Sequence, residues 1–243
     1  MKARRIALLL LRLLLGAVGA SVLVVLVLRF VPPLTSAFMI EQRLNAMADG
    51  EFRAANDYDW MPLERISPHA AIAVIASEDQ LFPFHAGFDF KSIREAIRYN
   101  ARGRKVRGAS TISQQVAKNL FLWSGRSYVR KGLEAWFTVL VEFLWPKERI
   151  LEVYLNVAEF GPRTYGVEAA SRKFFRKPAA RLTRREAATL AAVLPSPSRL
   201  HAEAPSAYVQ RRAEFIMGQM RALGGATYLR QLDDDEPRTQ PGS

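Results

Sequence analysis

No cysteine occurs in this chain of 243 residues, and histidine occurs only three times. The first absence removes disulfides, thiolate metal sites and a cysteine nucleophile together; three histidines leave little material for a multi-histidine metal centre. Acidic side chains are also in short supply, 23 against 35 lysines and arginines, for a formal charge of +12. That excess attracts polyanions, whether nucleic acid, anionic lipid headgroups or a phosphorylated substrate, and its placement must decide among them. Alternating strand patterns are scarce and no internal repeat is visible, while helical spacing of apolar residues is common, which predicts a mainly α fold. The length permits one substantial core.

Lys2, Arg4 and Arg5 precede an apolar stretch from Ile6 to Leu28 that only Arg12 interrupts, followed by Arg29 and Pro32-Pro33. Such a run can span a bilayer, with Arg12 close enough to its start to reach the headgroups. The basic start then stays inside and the rest of the chain is exported. A cleaved signal peptide is the rival reading, but Thr35-Ser36-Ala37 is a poor cleavage site and the apolar run is long.

Beyond a polar connector, Ser67-Pro68 is an N-cap followed by proline at the first helical position, and the helix it opens is apolar on every side through Ala76. A Gly- and Arg-rich loop, Asn100 to Gly108, leads to a helix from Ser110-Thr111 through Leu122. Ser127 opens another that runs to Trp145, and Pro146 restarts the chain into one extending through Asn156. Further helices are expected at 182–194 and 207–223.

Glu78 and Asp79 end the buried helix, placing two carboxylates at the edge of the core. Partial burial and the negative end of the helix dipole both disfavour an ionised Glu78, which suits a group that must exchange a proton; pairing with a nearby cation is the plainer alternative. Lys118, Arg126, Arg130 and Lys131 form a cationic group; Arg126, Arg130 and Glu134 fall at i, i+4 and i+8, which puts them on one face if the first turn is helical. Forked and point donors together suit a diphosphate, although a solvated basic face with Glu134 as salt-bridge partner has the same spacing. Phe121-Leu122-Trp123 can dip into a bilayer surface or pack in the core. Glu152 and Asn156, one turn apart, fit a polar site wall or a local helix contact equally.

Taken in order, Glu78-Asp79-x-x-Phe82-x-x-His85-x-Gly87, Gly108-x-Ser110-Thr111-Ile112-x-Gln114-Gln115-x-x-Lys118-Asn119, Arg126-x-x-x-Arg130-Lys131-x-x-Glu134 and Lys147-x-x-Ile150-Leu151-Glu152-x-Tyr154-Leu155-Asn156 resemble the signature of the biosynthetic peptidoglycan glycosyltransferases, glycosyltransferase family 51, in their monofunctional membrane-anchored form. Phe174-Phe175 stands where many members have Tyr-Phe. The resemblance implies a lysozyme-like helical domain with a smaller membrane-contacting lobe near Trp123. It divides the chain into a basic start and transmembrane anchor (1–34), a juxtamembrane connector (35–60), a glycosyltransferase domain (61–225) and a flexible tail (226–243).

The same resemblance implies polymerisation of lipid II on the periplasmic side of a bacterial inner membrane, without transpeptidation. Glu78 is then the base that takes the proton of the acceptor 4-hydroxyl, and Glu134 the second carboxylate, orienting the cations or a bridging metal ion. Lys118 and Arg126, helped by Arg130 and Lys131, bind the departing diphosphate, while Ser110, Gln114 and Asn119 line the site. A divalent cation such as Mg²⁺ is expected only through the substrate diphosphate, no protein metal ligands are apparent, and no organic cofactor is implied. The implied partners are lipid II, the lipid-linked strand, membrane lipids and cell-wall synthesis or division proteins. Export makes nucleic acid an implausible partner. The enzymatic rival is a membrane-anchored lysozyme-like enzyme that cleaves glycan; the non-enzymatic one is a wall-binding scaffold.

Overall fold

A computed structural model describes residues 2–100, 103, 110–125 and 127–233. In chain order these form α1 (Lys2–Leu28), α2 (Ala37–Ala48), β1 (Asp57–Tyr58), α3 (Pro68–Glu78), α4 (Phe90–Asn100), α5 (Ile112–Phe121), α6 (Tyr128–Leu144), α7 (Lys147–Val157), β2 (Glu159–Gly161), β3 (Thr164–Tyr165), α8 (Val167–Phe175), α9 (Arg184–Val193) and α10 (Ala207–Ala222). The three short strands make one small sheet in the order β1-β3-β2, with β1 parallel and β2 antiparallel to β3. The fold is mainly α, as the apolar periodicity predicts.

The central helix is α3. Ser67 accepts the His69 N–H, Pro68 fills the first turn, and all of Ala70 to Ala76 is buried. Alanines at 70, 71, 73 and 76 leave room for close approach, and α9 answers with Ala187, Ala188, Ala191 and Ala192, also buried. Both helices gain their stability from this packing; a stripe of alanines brings two backbones nearer than leucines would allow. On the other side α5 packs against α6 and α7, and its capping box joins the Thr111 side chain to the Gln114 N–H and the Gln114 side chain to the Thr111 N–H.

α1 contains the one stretch among the described residues, Arg4–Leu28, long and apolar enough to cross a membrane. Two segments are more ordered than the sequence suggests. The expected connector holds α2, whose Met39 and Ala46 are buried, and β1, which extends the sheet. Residues 226–232, expected in the flexible tail, are ordered, because Gly225–Leu232 is a 3-10 helix that buries Tyr228 and Leu232. The Tyr228 hydroxyl donates to the Gln80 carbonyl at 2.5 Å, so this segment closes over the end of α3. Residues 234–243, and most of the Gly- and Arg-rich loop before Ser110, lie outside the described residues.

Candidate functional site

Glu78 sits in the last turn of α3, with a side chain only 16% exposed. Its Oε1 accepts from the Ser77 hydroxyl at 3.0 Å, and its Oε2 accepts from Gln115 Nε2 at 3.1 Å. Arg212 of α10 donates to the Ser77 hydroxyl at 3.3 Å and lies 3.8 Å from Glu78 Oε1. Each oxygen is thus steadied by a donor, while the carboxylate still reaches the surface of the site.

The neighbouring Asp79 explains why the carboxylate stays there. Its Oδ2 accepts the Ile112 N–H at the start of α5 at 2.9 Å, and both its oxygens lie 3.0 Å from His85 Nε2. His85 Nδ1 accepts the Gly87 N–H at 3.1 Å, so the ring proton belongs on Nε2, pointing at Asp79. Thr111 in turn donates to the Gly87 carbonyl at 2.7 Å. Gly87 has φ +86°, and an added Cβ would fall 2.7 Å from a Thr138 methyl, so only glycine closes this turn against α6. Beneath lies Lys147, which donates to the His85 carbonyl at 2.6 Å and to Glu142 at 2.8 Å, while Ser113 donates to the same Glu142 oxygen. A buried network therefore fastens the end of α3 to the starts of α5 and α7.

The cations face this carboxylate from α5 and α6. Burial pushes the Lys118 amine below the 10.5 of a free lysine; Glu134 and Glu78 oppose that shift, Arg130 and Lys131 add to it. Lys118 therefore lies within electrostatic reach of both carboxylates and both other cations. Glu134, 3% exposed, takes Arg130 Nη1 on Oε2 at 3.0 Å and Lys131 on Oε1. Both Glu134 oxygens thus accept from cations and hold Arg130 and Lys131 side by side; among the described residues there is no cluster of three His, Cys, Asp or Glu that could hold a metal ion. Three cations against one buried carboxylate leave a positive patch suited to a diphosphate.

The structure thus brings together Glu78, Lys118, Arg130, Lys131 and Glu134. Asn119 is buried on α5, one turn after Gln115. Gln114, expected on the site wall, spends its side chain on the cap of α5, and Ser110 is exposed just before that cap. Arg126 lies outside the described residues. Glu152 and Asn156 serve the backbone: Glu152 accepts the Leu63 N–H at 3.3 Å, and Asn156 bonds both the N–H and the carbonyl of Met61. Of Phe121-Leu122-Trp123 only Trp123 is exposed; Leu122 is buried and Phe121 stacks on Phe137 with centroids 4.4 Å apart. The larger exposed apolar face belongs to α6, at Val129, Trp136, Val139 and Phe143.

Gln115 and Tyr154 stand in the quoted motifs, but the sequence reading gives neither a role. The buried Tyr154 hydroxyl donates to Gln115 Oε1 at 3.1 Å; burial, reinforced by Glu78 and Asp79, pushes it well above 10.0 and keeps it a donor. A fixed donor on Oε1 turns the Gln115 amide so that its NH₂ faces Glu78. The available signal was the spacing of Gln115 three residues before Lys118, which puts both on one side of α5. Tyr154 reads as core because Leu151, Val153 and Leu155 surround it in sequence. Tyr154→Phe removes one bond of about 1 kcal/mol, so kcat should fall about fivefold with the far-UV spectrum unchanged.

A family model described as Transglycosylase matches residues 45–221. The chain is 57% identical over 211 residues to a biosynthetic peptidoglycan transglycosylase of Xanthomonas campestris pv. campestris (strain B100), covering 87% of this chain and 86% of that one. It is 56% identical over 222 residues to the protein of the same name from Pseudomonas entomophila (strain L48), covering 91% and 94% respectively. At this identity and coverage, with the motif residues clustered as described, the chain belongs to the transglycosylase family.

Proposed function

We propose that this protein polymerises peptidoglycan glycan strands from lipid II, a reading supported by relatives named biosynthetic peptidoglycan transglycosylase. The observation that carries the reading is a steadied, nearly buried carboxylate, Glu78, in electrostatic reach of a cationic patch held by Glu134. A sugar hydroxyl is a weak nucleophile, so a base must take its proton as the new bond forms. Glu78 takes the proton of the acceptor N-acetylglucosamine 4-hydroxyl, whose oxygen attacks the anomeric carbon of the donor N-acetylmuramic acid. The bond to the diphosphate breaks with its electron pair, and undecaprenyl diphosphate departs toward Lys118, Arg130 and Lys131. One in-line displacement converts the α-linked donor into a β-linked product.

The chain is anchored in the bacterial inner membrane by α1, its basic start inside and its catalytic domain on the periplasmic side. A divalent cation accompanies the substrate diphosphate and is held through the diphosphate oxygens. Chelation with EDTA is therefore expected to slow polymerisation while leaving the Tm of the substrate-free protein unchanged; a lower Tm in EDTA would reveal an ion bound by the protein itself. Cleavage of finished glycan, the rival reaction, has no diphosphate leaving group and no use for the cationic patch. Purified full-length protein incubated with labelled lipid II is expected to yield long strands; untouched lipid II, with fragments released from purified cell wall, would favour the rival.

A further inference from the structure

The anchor helix does not simply precede the catalytic domain; its outer end is fastened to it by exchanged caps. The last carbonyls of a helix lack partners within it and form the negative end of its dipole. At the end of α1, Arg149 of α7 donates from Nη2 to the Leu28 carbonyl at 2.8 Å and to the Val31 carbonyl at 2.9 Å, with Nε 3.2 Å from the Leu28 carbonyl. At the end of α6 the relation is reversed, where Arg29 of the anchor donates to the Leu144 carbonyl at 2.7 Å. Arg149 is itself braced: Nη1 meets Glu152 at 2.5 Å, and its guanidinium lies over the rings of Trp60 and Trp145, 5.1 and 6.0 Å from the centroids.

Further contacts run down the anchor. Trp145 Nε1 donates to the Val25 carbonyl at 2.7 Å, Trp136 Nε1 donates to the Ser21 hydroxyl at 3.2 Å, and Val25 is fully buried. The segment after the anchor is tied as well, since the Tyr58 hydroxyl donates to the Pro33 carbonyl at 2.6 Å. A flexible tether needs none of these bonds.

We propose that α1 is a rigid extension of the catalytic domain, latched by Arg149, and that the latch sets the height and tilt of the Glu78–Lys118 cleft over the bilayer. Arg149 is then a positioning residue for a lipid-borne substrate, a role that rests on the membrane anchorage and substrate class proposed above. Its fork fits two carbonyls at once, so replacement by a side chain with one amide frees the helix end.

The absence of native cysteine allows a direct test. Spin labels on Leu23→Cys, on the outer face of α1, and Arg185→Cys, on the surface of the domain, report the distance between anchor and domain in lipid nanodiscs. A single narrow distance distribution is expected, broadened by Arg149→Gln and also by Arg29→Gln, which leaves the interior of the domain untouched. In Arg149→Gln the KM for bilayer-embedded lipid II should rise about tenfold, as misplacement by a small distance does. The kcat on a water-soluble short-chain analogue should not change. A broad distribution in the unsubstituted anchor, a narrow one in both variants, or an unchanged KM in bilayers would overturn the proposal. The distance measurement needs no turnover, so a protein that polymerises nothing yet gives the narrow distribution, broadened by both variants, would overturn the proposed reaction and support the latch.

Discussion

Glu78→Gln is expected to leave the fold and lipid II binding intact while lowering the polymerisation rate by about 10²–10⁴, the usual contribution of a positioned base. The amide keeps the shape of the carboxylate: its oxygen can still accept from Gln115 Nε2, and its NH₂ can donate to the Ser77 hydroxyl, where Glu78 accepts from both. What it lacks is a site for the proton of the attacking hydroxyl. Single-turnover measurement with bound lipid II separates the two effects, and turnover close to that of the unaltered protein would favour a scaffold whose carboxylate is merely structural.

Lys118→Met should lose activity and gain stability together. The lost amine is a donor to the leaving diphosphate, and removing one such donor costs about 10²–10³ in kcat. The stability effect follows from the direction of its shift. Burial lowers the Lys118 pKa from 10.5, so the unfolded chain holds that proton more tightly than the folded one. The charged amine therefore costs stability at neutral pH, and the cost fades as pH rises through the lowered folded value toward 10.5. Methionine keeps much of the volume without the charge, so Tm at neutral pH should rise while kcat falls; a fall in Tm would mean that the ammonium stabilises the fold. In the unaltered enzyme the same shift places the alkaline loss of activity at lower pH than a free lysine would give.

Much of this architecture is legible in the sequence because its signals are local. Ser67-Pro68 and Ser127 start helices where their capping chemistry requires, and the unbroken apolar run from Ala70 to Ala76 correctly marks α3 as the buried centre. The carboxylate at the end of that helix, Lys118 on α5 and Arg130 on α6 follow from helix spacing once the motif resemblance is recognised. What spacing cannot supply is the partner from a distant element. Gln114 and Gln115 differ by one residue, yet one caps α5 and the other holds Glu78, because a rotation of one helical position exchanges the cap for the cleft. Glu152 and Asn156 looked like a site wall as readily as a local contact; their partners, the backbone at 61–63, come from a segment with no periodicity to announce it. The order of residues 226–232 depends on Tyr228 reaching Gln80 across the fold, a contact invisible to any window of sequence.

The most direct measurement counts undecaprenyl diphosphate released per disaccharide added when the purified full-length protein acts on lipid II. Glu78 activating one hydroxyl against one departing diphosphate requires equal numbers, with the products joined by β linkages. Strand growth without matching release, or release without strand growth, would contradict the reaction assigned to this site.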